Sequence, residues 1–138
     1  MPLEQWKRYK YIVHLDGNTA AFRLANTMRT GSAILKQDSP FVEYWYDGIR
    51  PDVHYRRVRA NLADLPDQVR FLIDHDQEAR RLAQAAEAFA AAHLTRSAVC
   101  AYVLELLEAY ASLPWRDADD QPTPPAGRWQ ALWSRIRG

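Results

Sequence analysis

Residues 9–37, "YKYIVHLDGNTAAFRLANTMRTGSAILKQ", decide the fold. The segment opens on alternating aromatic and β-branched residues, a strand pattern, and breaks at Asp16-Gly17-Asn18-Thr19. Ala21, Leu24, Ala25 and Met28 then follow at helical spacing, and Gly31 is placed as a helix stop. A second apolar run, "SAILKQ" at residues 32–37, predicts the next strand. A third, "VHYRRV", occupies residues 53–58. In "SPFVEYWYDGIRP", between the second and third runs, Ser39 is a candidate N-cap and Pro40 a first-turn proline. Asp47-Gly48 would end that short helix. Strands that alternate with helices predict right-handed crossovers and a parallel sheet, so this half is α/β.

The second half reads as helix throughout. "ADLPDQVRFLIDHD" places Leu65, Val69, Leu72 and Ile73 on one face behind Asp64 as N-cap. "DQEARRLAQAAEAFAAAH" is alanine-rich, with Leu82, Ala86, Phe89 and His93 on one side. "TRSAVCAYVLELLEAYASL" sets Val99, Tyr102, Val103, Leu106 and Tyr110 at amphipathic spacing. These observations predict an α/β half-domain over residues 1–113, a Pro/Asp-rich linker at 114–127 and a short amphipathic helix at 128–138. About three parallel strands make a thin sheet beside the five or six of an open doubly wound domain. The chain therefore reads as the second half of a partial Rossmann-like fold with a helical C-terminal part.

Composition narrows the function classes. With 138 residues the chain is one domain's worth. A net charge of +1 argues against a nucleic-acid partner, which calls for a strongly basic face. A single cysteine, Cys100, excludes an internal disulfide framework, and its apolar helical neighbours place it in the core. No apolar run approaches the ~20 residues that span a bilayer. The opening "MPLEQWKRYK" lacks the apolar region of a secretory signal, so the expected compartment is the cytoplasm. Two tryptophans flanked by arginines in the terminal helix leave room for peripheral contact with an inner membrane surface.

In a parallel α/β sheet, ligands bind outside the carboxyl ends of the strands. Asp16, Gly17, Asn18 and Thr19 fall there, at the mouth of the next helix, where free N–H groups attract anions. Arg23, about one turn in, suits bidentate contact with a phosphate. The competing reading is an ordinary capped strand-to-helix connection. Glu43, after the second strand, is placed either to accept ribose hydroxyls or to stand solvated in a helix first turn. His14, His54, His75 and His93 show no pair at metal-ligand spacing, and neither a metal nor a cofactor is expected. Tyr44, Trp45 and Tyr46 suit either base stacking or the core.

The run from Tyr9 to Leu65 also resembles a known family. Its features are the Tyr-Lys-Tyr strand, the Asp-Gly-Asn turn, the Phe22-Arg23 pair and Gly31-Ser32 before the second strand. Glu43-Tyr44-Trp45-Tyr46, Val53-His54-Tyr55, "HDQEARRLAQ" and "HLTRSAVCAYVLELLEAY" extend the likeness to about Tyr110. Together they resemble glycosyltransferase family 90, which holds Rumi and other protein O-glucosyltransferases, fungal capsule-associated proteins and bacterial lipopolysaccharide-modifying enzymes. The resemblance implies a GT-B enzyme of two Rossmann-like halves, with the donor held by the C-terminal half. It implies inverting, metal-independent transfer from a nucleotide sugar, commonly a UDP-sugar, to a glycan, lipopolysaccharide or protein hydroxyl.

By the same resemblance residues 1–113 are the donor-binding half-domain of a glycosyltransferase. The donor loop is then Asp16, Gly17, Asn18, Thr19, Ala20, Ala21, Phe22 and Arg23, with Arg23 at the diphosphate. Glu43 joins it. The family's catalytic aspartate lies upstream of the matching segment, so no catalytic residue is assigned. This chain alone is expected to be inactive, and a second chain is a candidate source of the acceptor half. Asp52 stands where the family has tryptophan. The alternative reading is a non-catalytic remnant that binds a nucleotide or a partner protein.

Overall fold

The computed structural model describes residues 3–113. The expected linker at 114–127 and terminal helix at 128–138 lie outside the described residues. The chain divides after Val103 into two compact units, and the sheet belongs to the first. A four-residue helix, α1 (Leu3–Trp6), precedes the strands.

Three strands, β1 (Tyr11–His14), β2 (Ala33–Gln37) and β3 (Arg56–Val58), form one parallel sheet in that order. All three stand where β-branched and aromatic runs predict them. β1 pairs with β2 from Tyr11 opposite Ala33 to His14 opposite Lys36. β2 pairs with β3 from Leu35 opposite Arg56 to Gln37 opposite Val58. The third strand is shorter than its sequence suggests. Asp52 takes a φ of 58°, a left-handed turn that aspartate tolerates, and ahead of the strand there is a bridge between Pro51 and Tyr55.

Both faces of β2 are buried, and one core cluster lies on the face that carries Ala33, Leu35 and Val58. Ala33, Leu35 and Val58 pack against Leu72 of α3 (Leu65–Asp74) and against Ala79 and Leu82 of α4 (Asp76–His93). Each buried leucine contributes roughly 1.5–3 kcal/mol. The Tyr11 hydroxyl donates to the Leu72 carbonyl at 3.1 Å, tying α3 to the edge strand. In α4 the buried stripe is Ala79, Leu82, Ala83, Ala86 and Ala90. Asp64 does stand at the N-cap of α3, but its carboxylate accepts the Arg59 N–H at 2.9 Å rather than capping the helix.

Three expectations fail. The helix after β1 is only α2 (Leu24–Thr27), with Arg23 at its N-cap rather than one turn in. Gly31, at a φ of 71°, carries the stop before β2. Ser39-Pro40 opens no helix, because the Ser39 hydroxyl accepts the Phe41 N–H at 3.1 Å, a local turn that competes with helix. The segment instead drives Trp45 and Tyr46 into the interior and ends in a 3-10 turn, Tyr46–Gly48. Gly48 is needed there because a Cβ would meet the Phe89 ring at 2.7 Å. Finally, α5 (Arg96–Ala111) buries none of its residues, and Cys100 is exposed rather than in the core. Its apolar residues are spread around the helix: Val99, Val103, Leu104, Leu107 and Tyr110 are all exposed, so no single inward stripe forms. Among the described residues no helix is long and apolar enough to cross a membrane.

Candidate functional site

β1 and β2 end side by side, and the turn at residues 16–23 leaves the sheet at that carboxyl edge. Asp16 organises the turn. Its Oδ1 accepts the Ala21 N–H at 2.7 Å, closing a loop around the four residues Gly17–Ala20. Among the described residues, the N–H groups of Asn18, Thr19, Ala20 and Phe22 donate to no protein acceptor. Gly17 has no positive φ, and a Cβ there would meet nothing within 4 Å, so its backbone faces open space. A row of free N–H groups beside open space is a surface for an anion or an oxygen-rich ligand.

Arg23 closes the turn. Its Nη2 donates to the Leu15 carbonyl, which holds the guanidinium against the end of β1 while the residue stays exposed. Phe22 is also exposed and Ala21 buried. Gly17, Asn18, Thr19, Phe22 and Arg23 are exposed, whereas Ala21 and the Asp16 carboxylate are turned inward. The four residues of α2 are too few to supply the helix dipole that the sequence invoked. The N–H groups and the guanidinium remain.

Glu43 stands half-buried in the loop after β2, outside any helix. Its Oε2 accepts the Trp45 indole N–H at 3.1 Å, and its Oε1 is buried without a protein partner. Burial raises the Tyr46 phenol well above its usual pKa, and the charges of Glu43 and Asp16 add to the rise. Both carboxylates therefore act on one phenol. Tyr44 stacks on Tyr102 with ring centroids 4.2 Å apart, whereas Trp45 and Tyr46 are core. His54 precedes β3, His75 separates α3 from α4, and His93 ends α4.

Two residues that sequence reasoning passed over sit at the centre. His14, the last residue of β1, and Lys36, the last but one of β2, are paired in register, with 1% and 6% of their surface exposed. Burial lowers the His14 pKa to about 4; the Asp16 charge opposes this, and Arg23 and Lys36 reinforce it. His14 is neutral at pH 7, so its 3.6 Å approach to Asp16 is not an ion pair there. Burial also pushes the Asp16 carboxyl up, but the Ala21 N–H, the Ser39 hydroxyl, Lys36 and His14 outweigh it and hold it below its usual value. The available signal was two polar residues at the ends of otherwise apolar strands.

The buried imidazole has a pH consequence. The unfolded chain protonates His14 near 6.5, whereas the folded chain resists until about 4. Stability should therefore fall as pH drops from 6.5 to 4, by about 3 kcal/mol from this group. His54, also lowered by burial, adds a smaller part in the same window. The depressed carboxyls Asp16, Asp76 and Glu78 lose their contributions only lower, near and below their ordinary range. Urea denaturation across this window should show most of the slope vanish in His14→Asn. An unchanged slope would mean that His14 is hydrated and titrates normally.

The chain matches the family model of glycosyl transferase family 90 over residues 1–122. It is 38% identical to protein O-glucosyltransferase 2 of Danio rerio over 106 residues, 77% of this chain and 21% of that protein. Protein O-glucosyltransferase 3 of Homo sapiens is 36% identical over 104 residues, 75% of this chain and 20% of that protein. With protein O-glucosyltransferase 1 of Rattus norvegicus the identity is 29% over 103 residues, 75% of this chain and 26% of that protein. The chain therefore spans between a fifth and about a quarter of the length of these relatives. The match covers the sheet, the turn at 16–23 and the Glu43 loop, and the chain belongs to glycosyltransferase family 90.

Proposed function

We propose that this chain is the donor-binding part of a glycosyltransferase, and that the turn Asp16–Arg23 receives the diphosphate of a nucleotide sugar. One observation carries the reading: unpaired backbone N–H groups and an exposed arginine lie on one turn at the carboxyl edge of a parallel sheet, in a member of a glycosyltransferase family. Arg23 supplies a planar fork for phosphate oxygens, and the N–H groups of Asn18, Thr19 and Ala20 supply neutral donors. The Glu43 Oε1, buried and without a protein partner, is suited to accept a hydroxyl of the donor. Glucose is the natural sugar to test first, since the relatives are named O-glucosyltransferases. No described residue is assigned as the base that activates an acceptor hydroxyl. In this reading an inverting transfer takes that base from outside the matched segment, from an upstream part or a second chain.

Calorimetric titration tests the reading. UDP-glucose and UDP should bind the 138-residue chain measurably, and uridine much more weakly, because the diphosphate carries the recognition. Uridine binding as tightly as UDP would refute a diphosphate site. Glucosyl transfer by this chain alone would refute the external base and leave the donor site standing.

A further inference from the structure

The carboxyl edge of the sheet holds a charge that the donor reading does not use. Lys36, the fourth residue of β2, is 6% exposed. Lysine is almost never so buried without a partner. Here its one hydrogen bond is a 3.3 Å donation to the neighbouring Gln37 carbonyl. The ammonium lies 5.0 Å from the centre of the Tyr46 ring and 5.9 Å from that of Tyr55, close enough for cation–π attraction. Burial lowers its pKa, and Asp16 and Asp38 pull it back up. No carboxylate reaches Lys36 within ion-pair distance among the described residues, so it balances charge across space rather than through a closed salt bridge.

That placement matters because of Asp16. A buried carboxylate, its Oδ1 taken by the Ala21 N–H and its Oδ2 without a partner, belongs to the same turn as the N–H groups offered to an anion. Alone it would repel the diphosphate that the turn is shaped to receive. We infer that Lys36 is a positioning residue of the donor site: paired in register with His14, whose ring stands 3.6 Å from Asp16, it offsets the carboxylate across space, so that Asp16 can pin the turn without turning it against an anion. The inference rests on the donor reading given above. It assigns to Lys36 an electrostatic task, with Asp16 as the group through which it acts. Arg23 touches the ligand; Lys36 does not.

A double-mutant cycle on the whole chain separates this from a packing role. UDP is titrated into wild type, Lys36→Met, Lys36→Arg, Asp16→Asn and Asp16→Asn/Lys36→Met. Lys36→Met should weaken UDP by about tenfold, the order expected for an uncompensated charge near a partly solvated anion. Lys36→Arg, which keeps the charge, should recover most of it. In the Asp16→Asn background, where the side-chain carbonyl can still accept the Ala21 N–H, Lys36→Met should cost less than threefold, the residue of direct attraction left once the carboxylate is neutral. Uridine affinity should not respond to Lys36 at all. Equal losses in both backgrounds, or a matching loss for uridine, would show that Lys36 acts by packing and overturn the proposal. If Lys36→Met fails to fold, Lys36→Arg decides it: a folded arginine variant that still loses tenfold or more in UDP affinity would overturn the proposal. Absence of UDP binding by wild type is a separate outcome, which removes the donor site and this role with it.

Discussion

Trp45→Ala should destabilise the fold by about 3–5 kcal/mol, the range for deleting a buried aromatic ring. Trp45 is 2% exposed and the largest of the fully buried side chains. It packs edge-on to Tyr46, with centroids 4.7 Å apart, and lies 6.2 Å from Phe89 of α4. The indole also donates to Glu43, so the substitution frees the loop after β2 as it empties the core. Marginal stabilities make such a loss a large share of the total. Urea denaturation of the two chains measures it as a lower midpoint at unchanged slope. A loss below 1 kcal/mol would mean that the Glu43–Tyr46 loop is a surface feature, which would undercut the placement of Glu43 at the site as well.

Trp45 also illustrates what periodicity could and could not reveal. The three strands were readable because β-branched and aromatic residues cluster in short runs bounded by Asp-Gly, Gly-Ser and Asp-Ser. Their parallel pairing was expected from alternation with helices, and it holds although only the four-residue α2 and a 3-10 turn stand between the strands. The turn at 16–23 was readable for the same reason, since a strand that ends on Asp-Gly-Asn offers free backbone donors whatever follows it. The Ser39–Gly48 segment was not. Ser-Pro followed by a carboxylate satisfies every local helix-start rule, yet the gain from burying Trp45 and Tyr46 against α4 outweighs local propensity. Cys100 misled in the opposite way: apolar neighbours in sequence do not make a core when they ring a helix on all sides. His14 and Lys36 look like interruptions of a hydrophobic strand, and only the register, which brings their carboxyl ends together, reveals them as one cluster.

Arg23→Ala should weaken nucleotide-sugar binding by about 1.5–3 kcal/mol, roughly 10- to 150-fold, the range for hydrogen bonds to charged groups. The guanidinium is exposed and tethered by the Leu15 carbonyl at the end of β1, which limits the rotamers that a ligand must freeze. Arg23→Lys should restore only part of the affinity, because one ammonium cannot reproduce the two parallel donors of the fork. Stability should barely change, since an exposed arginine contributes little to the fold. The lysine variant separates geometry from charge: full recovery would show that any cation at position 23 suffices.

The most direct test of the donor site is calorimetric titration of UDP-glucose into wild-type and Arg23→Ala chains at one fixed ionic strength, with folding of both verified by urea denaturation. The expected result is measurable binding by wild type and a loss of at least tenfold in the variant at unchanged stability. Equal affinity in the two folded chains would contradict a diphosphate site at Asp16–Arg23 and return the turn to a capped connection between β1 and α2.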